Sequence, residues 1–552
     1  MTKSILQEAR AAYQPQMPRI LQGPLKAVEG EITESVADKS EIQAAFPMTY
    51  GMRTIAFERG PAIELPPINV GVILSGGQAP GGHNVIAGLF DGIRKINPAS
   101  QLYGFLLGPD GLIKHKYRLL TDEIINEYRN TGGFDIIGSG RTKLSSKEQF
   151  DEGLQILKEL NITALVIIGG DDSNTNACHL AEYYKAINAG VQVIGCPKTI
   201  DGDLKNEQIE TSFGFDTACK VYSELIGNIE RDCNSAQKYW HFIKLMGRSA
   251  SHIALECAQQ TQPNVCLISE EVYENSISLD QIVSNIANII IKRGEAGQSF
   301  GTVLIPEGLI EFIPEFKPLI STINALLAKE SSTEQEFKQL PKSERRSWMQ
   351  HQLEQGTGPD AKANAALYKS LPEVVALQLA LDRDSHGNVQ VSLIETEKMI
   401  SEMVAAKLPT GQVWKFSPQH HFFGYEGRCA APSNYDANYC YSLGYTASCL
   451  IATGKSGYMA SVRNTTAPAS EWIAGGIPIT MMMNMETKEG KRVPVIRKAL
   501  VDLNDAPFQT FAAARNEWAL NTSYLYPGPI QYFGPTEVCD RPTQTLLLEK
   551  SK

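Results

Sequence analysis

Several signals are missing from the 552 residues, and each absence removes a class of function. No run of 18 apolar residues occurs, so no transmembrane helix is expected, and Met1 to Tyr13 lacks the long apolar core of a signal peptide. Basic residues are outnumbered, 51 Lys and Arg against 61 Asp and Glu, giving a net charge of −10. Sequence-independent nucleic-acid binding needs a basic face, so that class is set aside. The ten cysteines include no C-x-x-C pair and no regular spacing. Cys178, Cys219, Cys257 and Cys449 fall on helical patterns, which reads as buried thiols of a reducing compartment and leads us to expect a cytoplasmic protein. No His/Cys cluster competes for a metal. A Walker A loop is absent as well: Gly454-Lys455-Ser456 has Cys449 where such a loop needs glycine, and reads as a helix C-cap turn into the strand Tyr458 to Val462.

What is present is an ordinary soluble composition, 43% hydrophobic and 20% charged, on a chain long enough for about two to four domains. Two stretches organise it: Gly169-Gly170-Asp171-Asp172-Ser173, and Pro197-Lys198-Thr199-Ile200-Asp201-Gly202-Asp203. Each follows an apolar β-branched run, Thr163 to Ile168 and Val191 to Cys196, with Asn174 to Asn188 reading as the helix between them. Strands joined by a crossover helix lie parallel, so both turns should open on one sheet edge, the edge where α/β sheets bind ligands. Four carboxylates, a lysine and glycine-bared N–H groups would share that crevice. The mixture suits a metal-bound phosphate chain and a hydroxyl to be deprotonated.

A further buried strand, Asn69 to Leu74, runs into Ser75-Gly76-Gly77 and on to Asn84, which is expected to cap a helix. A glycine turn between strand and helix offers backbone N–H groups to an anion, although many such turns only close a corner. Gln101 to Leu107 reads as a strand. Arg141 either sits on the surface after its turn or reaches phosphate in the crevice, and spacing does not decide between them. Ser145-Ser146-Lys147-Glu148 reads as a capping box opening a helix to about Leu160. After the helix Phe213 to Arg231, a second series of strands follows: Trp240 to Leu245, ending in Met246-Gly247-Arg248; Asn264 to Ser269; and Gly301 to Ile305, ending in Pro306-Glu307-Gly308. The repeated order of strand, polar turn and helix argues a second α/β unit.

From about Glu311 to Lys415 the pattern turns helical, with one short strand at Val389 to Leu393 and a charge run from Lys329 to Arg346 that reads as a solvated face. Lys415 to Phe423 returns to strand, ending in Tyr425-Glu426-Gly427-Arg428. A long helix over Asp436 to Thr453 and a strand at Ile477 to Met483 complete the pattern. The prolines scattered through Met1 to Pro67 mark an extension that packs on a neighbour or is partly disordered, and beyond Val501 no chemistry is evident.

Phosphoryl transfer needs a metal-bridged phosphate chain, an in-line hydroxyl, a base, and cations where charge builds up. Asp171, placed directly after a strand, suits a Mg²⁺ ligand, direct or through water. Asp201 is the better base, with Asp203 helping to hold it or the metal. Lys198 and Arg248 suit electrostatic stabilisation of the transferring group, or else form surface salt bridges. Asp172 bears on the donor: two unit charges about 4 Å apart at an effective dielectric near 20 repel by roughly 4 kcal/mol. That penalty, about three decades in affinity, falls on a nucleotide's α-phosphate and largely spares diphosphate.

These motifs, taken in order, resemble the phosphofructokinase family, and within it the long diphosphate-dependent group; the similarity covers nearly the whole chain. ATP-dependent relatives usually have glycine where Asp172 and Lys198 stand. The resemblance implies an α/β fold of two Rossmann-like parallel-sheet domains facing a cleft, with a helical insertion and an N-terminal extension. With it, the chain divides into residues 1–68 (extension), 69–212 plus about 428–490 (diphosphate and metal), 213–427 (sugar phosphate, insertion at about 311–415) and 491–552 (a segment packing back on the core). It further implies reversible, Mg²⁺-dependent transfer from diphosphate to the 1-hydroxyl of fructose 6-phosphate. Gly76 and Gly77 would contact diphosphate with Arg141, Asp171 would hold Mg²⁺, Asp201 would accept the proton, Lys198 would steady the phosphoryl group, and Asp172 would select against ATP. Thr199, Ile200, Asp201, Met246, Gly247, Arg248, Glu307 and Tyr425 to Arg428 would bind the sugar phosphate. Lys238 or Tyr239 would reach it in a neighbouring subunit of a homodimer or larger homo-oligomer. Gln419 and His420 stand near a position where shorter relatives use arginine, which leaves the 6-phosphate contacts open. The alternatives are an ATP-dependent phosphofructokinase and a non-catalytic regulatory subunit. Both acids at 171 and 201 are present, against the latter.

Overall fold

The computed structural model describes residues 4–62, 64–328, 331–381, 389–488 and 491–530. The chain forms two compact units, one built from Met1–Ala218 and Tyr425–Ala499, the other from Cys219–Gly424 and Leu500–Gly528. In chain order the strands are β1 (Leu25–Ile32), β2 (Arg53–Arg59), β3 (Asn69–Leu74), β4 (Gln101–Phe105), β5 (Tyr117–Leu120), β6 (Ile162–Gly169), β7 (Gln192–Thr199) and β8 (Phe213–Gly214). The second unit holds β9 (Tyr239–Leu245), β10 (Val265–Cys266), β11 (Phe300–Pro306) and β12 (Pro418–Phe423). The first unit resumes with β13 (Tyr458–Arg463), β14 (Ile473–Pro478), β15 (Met483–Lys488) and β16 (Lys491–Ile496).

The first unit is organised on a sheet of order β1-β2-β14-β13-β7-β6-β3-β4-β5. Its middle, β4 to β13, is parallel, and antiparallel strands flank it on both sides. Central parallel strands are covered on both faces, which is why β3 and β6 are near-continuous apolar runs and almost wholly buried. Register places Leu74 beside Ile168, and Gly169 beside Pro197. The chain leaves β3 outward to β4 and returns as β6 on the other flank of β3, so the C-terminal ends of β3 and β6 form a switch point where ligands bind. Residues before Asn69 are part of this unit: β1 and β2 pair with each other and β2 joins β14.

The second unit carries a smaller parallel sheet, β10-β11-β9-β12. The segment expected as a helical insertion is helical, and it is not an appendage. Phe316, Leu319, Tyr368, Leu379, Met399 and Val404 share one buried cluster with Trp240, Phe242 and Ile305 of the sheet. Inside the seam a buried ion pair, Lys244 to Glu397 at 3.5 Å, ties the insertion to β9. The charge run is exposed or half-buried apart from Phe337, which is buried, with Lys329 and Glu330 outside the described residues.

Several boundaries differ from expectation. Asn84 does not cap its helix, which runs Gly82–Ile96 with Gly81 at φ +109° in the cap position. A side chain at Gly82 would meet the Phe134 ring at 2.3 Å, so the turn closes where Cβ atoms are missing, and Asn84 donates to Asn130 instead. The capping box lies one residue on, between Ser146 and Gln149, because two overlapping patterns share that stretch. Val389 to Leu393 is not a strand: residues 391–393 form a 3-10 turn, and Val389, Val391 and Ile394 serve the core while Leu393 is exposed. The expected strand Ile477 to Met483 is split, β14 ending at Pro478 and β15 starting at Met483 with a 3-10 turn between. Asn264 to Ser269 keeps only Val265 and Cys266 as strand, since Ser269–Glu274 is a helix. The C-terminal segment contributes β16 and the helix Ala506–Leu520; residues 531–552 lie outside the described residues.

Candidate active site

At the switch point three strand ends meet. The Ser75 hydroxyl, just past β3, accepts from Ser173 at 2.8 Å, joining the glycine turn to the segment after β6. Gly76 is left-handed at φ +85°, a conformation that favours glycine, and its N–H donates to the Gly140 carbonyl at 2.9 Å. A Cβ there would lie 3.4 Å from the Lys198 ammonium, so the lysine stands beside the bare backbone of the turn. Lys198 itself is the seventh residue of β7 and is buried. Sequence reading put it on a loop, and Asp171 and Asp172 in a turn. They are instead the first two residues of the helix Asp171–Ala186, with Gly170 at the cap. The helix starts early because Asn174, which was read as its first residue, turns inward to donate to the Gly169 carbonyl at 2.6 Å.

The field at Lys198 reflects the same neighbours. Burial lowers the Lys198 pKa to about 8, helped by Arg428 and Arg141 and opposed by Asp201 and Asp171. Lys198, Asp171, Asp201, Arg141 and Arg428 therefore share one field. The Asp203 carboxyl is pushed up by its own burial first and then by Asp201 and Asp171, while Lys498 pulls it down. Asp201 is half-buried, its N–H bonded to the Thr199 hydroxyl at 3.1 Å, which folds the loop back on the end of β7. Ile200 is buried. Asp172 and Arg141 are exposed.

Tyr425–Arg428 is a single helical turn in the same unit. Its Arg428 donates to the Gln78 carbonyl at 2.8 Å, and a Cβ at Gly77 would fall 1.3 Å from the guanidinium. Gly77 is thus the seat of Arg428, a role that sequence had assigned to phosphate contact alone. Tyr425 and Glu426 are exposed and Gly427 is buried.

The remaining expected residues belong to the second unit. Gly247 is left-handed at φ +127°, and its N–H donates to the buried Glu307 carboxylate at 3.0 Å. Met246 is buried, and Arg248 pairs with Glu311 at 3.3 Å. Gly308 lets the Arg248 carbonyl approach, since a Cβ would come within 1.9 Å of it. Lys238 is exposed, its ammonium 5.0 Å over the Tyr239 ring.

One cation was not foreseen. Lys498, at the end of the segment after β16, lies 3.6 Å from the Asp171 carboxylate. No local pattern announces it, because the pairing joins positions more than three hundred residues apart. Among the described residues no group of three His, Cys, Asp or Glu side chains forms a metal cage. The donors at this edge are carboxylate oxygens, and Asp171 already draws a cation to itself. This fits Mg²⁺, which takes few protein ligands and completes its shell with water and phosphate. Asp171 would hold it.

Comparison with known proteins returns a consistent set. A family model described as phosphofructokinase matches residues 69–451. A Porphyromonas gingivalis protein named pyrophosphate--fructose 6-phosphate 1-phosphotransferase is 64% identical over 100% of both chains. The beta subunit of that name from Solanum tuberosum is 47% identical over 99% of this chain and 94% of its own. In fold, the chain is similar to the crystal structure of a pyrophosphate-dependent phosphofructokinase from Marinobacter aquaeolei, with a TM-score of 0.53 at 15% identity, over 83% of this chain and 93% of that one.

Proposed function

The chain belongs to the phosphofructokinase family, and from that premise we propose that its site moves a phosphoryl group reversibly between diphosphate and the 1-hydroxyl of fructose 6-phosphate. The observation that carries the reading is the Lys198 ammonium lodged against Gly76, with Asp171 and Asp201 in its field and Asp172 beside Asp171 on the helix.

Diphosphate lies along the Gly76 turn, its charge met by Lys198 and Arg141. Asp201 accepts the proton of the sugar 1-hydroxyl as that oxygen bonds to phosphorus. The P–O bridge breaks, and phosphate leaves with the bridging electrons. Proton acceptance by a placed carboxylate is worth roughly 10²–10⁴ in rate. Lys198 follows the charge as it moves onto the leaving phosphate. When bound at Asp171, Mg²⁺ supplies Lewis-acid charge neutralisation on the diphosphate oxygens. Asp203 props the Asp201 loop. Within the first unit, Arg428, seated on Gly77, serves the sugar phosphate with Tyr425 to Gly427, Thr199 and Ile200. Asp172 disfavours a donor that continues past the second phosphorus.

In a homo-oligomer, Lys238, exposed on this edge, or Tyr239 would serve a neighbour's site. Among the described residues nine cysteines are free, eight of them buried, which supports a reducing cytoplasm. No helix among the described residues is long and apolar enough to cross a membrane. A coupled assay with fructose 6-phosphate, Mg²⁺ and either diphosphate or ATP tests the function. Turnover with diphosphate and little with ATP is expected; the reverse preference refutes it.

A further inference from the structure

Lys498 carries a consequence for donor binding. The hairpin β15–β16 delivers it with a backbone pinned on both sides. The Ile496 N–H donates to the Thr175 hydroxyl at 3.3 Å, the Arg497 N–H to the Met482 carbonyl at 2.8 Å, and the Ala499 N–H to the Asp203 carbonyl at 2.7 Å. The strand end is thus laid across the first turn of the helix Asp171–Ala186 and tied to the loop of Asp201. The side chain is 42% exposed, and its ammonium stands 3.6 Å from the Asp171 carboxylate, an ion pair longer than a good hydrogen bond. Lys198 is buried in its strand, whereas Lys498 is a partly exposed side chain on a flexible four-carbon stem.

We infer that Lys498 is a donor-binding residue: its ammonium neutralises Asp171 in the free enzyme and passes to the diphosphate when the metal takes that carboxylate. The inference rests on the reading of this edge as a diphosphate site. A divalent cation at Asp171 repels an ammonium a few ångströms away, and the largest nearby store of negative charge is then the diphosphate. A fixed backbone carrying a long, partly exposed charged side chain is the arrangement such an exchange needs. Asp203 is held by the same segment, so the exchange does not disturb the Asp201 loop.

The two halves of the exchange have opposite signs, which a merely structural lysine would not reproduce. In full-length Lys498→Met, Mg²⁺ alone, titrated calorimetrically without diphosphate, should bind more tightly, by up to about fivefold, because an ion pair worth up to about 1 kcal/mol no longer competes. Magnesium diphosphate, titrated without sugar, should bind at least about tenfold more weakly, as expected for a lost charge-assisted hydrogen bond. Lys498→Arg should recover the diphosphate affinity, and fructose 6-phosphate binding and the melting temperature should match wild type in both. Equal magnesium diphosphate affinity in wild type and Lys498→Met overturns the inference, as does parallel weakening of Mg²⁺, diphosphate and sugar phosphate. A wild-type protein that binds no magnesium diphosphate sinks the functional reading itself, which keeps the two failures apart.

Discussion

Replacing Asp172 with asparagine removes one negative charge from the donor edge while keeping the size of the side chain. The residue is the second of its helix and exposed, so its repulsion of a third phosphate group lies between two limits. At about 4 Å, bulk water gives roughly 1 kcal/mol and a partly screened surface site roughly 4 kcal/mol. The kcat/KM for ATP should therefore rise between about fivefold and about a thousandfold in Asp172→Asn, with the diphosphate value changing by less than about tenfold. Exposure points toward the lower half of that range and adds a signature: the gain should shrink at high salt, since at about 1 M the Debye length of roughly 3 Å falls below the separation of the two charges. The amide keeps the size of the side chain, so steric relief is separated from charge. Losing an acidic residue from the first turn costs the helix about 0.3–1 kcal/mol, which a thermal melt corrects for. The measurement is initial rate against each donor at saturating sugar phosphate, at low and high salt. An ATP value unchanged in Asp172→Asn and in Asp172→Gly would show that this carboxylate does not set donor choice.

Other outcomes follow from the same geometry. The Lys198 pKa of about 8, held down mainly by burial, means that the free enzyme loses its ammonium as pH rises through that value. The kcat/KM for diphosphate should then fall above about pH 8, while kcat, which reports the complex, holds to higher pH because bound diphosphate favours the proton. With a folded pKa below its ordinary 10.5, this lysine costs stability at neutral pH, and the cost fades between about 8 and 10.5. An unmoved alkaline limb in Lys198→Arg would remove the lysine from the explanation. Gly77→Ala puts a methyl where the Arg428 guanidinium sits. It should melt near wild type, since a flexible side-chain tip can yield, yet lose about tenfold or more in kcat/KM, read from sugar phosphate saturation curves. Lys244→Met leaves the Glu397 carboxylate, already shifted up by burial, without its cation. A loss of about 3–5 kcal/mol in denaturant unfolding is expected, most of it recovered in the double variant with Glu397→Met; no recovery would mean that the pair is not the source.

Much of this was legible in the residues. The strands β3, β6 and β7 announce themselves because burial on both faces demands unbroken apolar runs, and the crossover between β6 and β7 fixes that their polar ends share an edge. Asp171, Lys198, Asp201 and Asp203 were identified from their place just after those runs. Boundaries were harder: whether Asp171 ends a turn or begins a helix depends on Asn174 bending inward, a contact invisible in a string of letters. The split of β14 from β15, and the capping register at Ser146, turn on similar local choices.

By itself the amino-acid order determined which groups gather at one sheet edge, namely carboxylate oxygens, a lysine and glycine-bared backbone, since these depend on residue type and on the short-range rule that strand ends face one way; the burial of Lys198 was not among them. Tertiary structure alone decided that Arg428 rests on Gly77 and that Lys498 stands at Asp171. Both pairings join segments more than three hundred residues apart, and the free energy that sets them comes from packing of distant elements, which leaves no periodic trace in either segment.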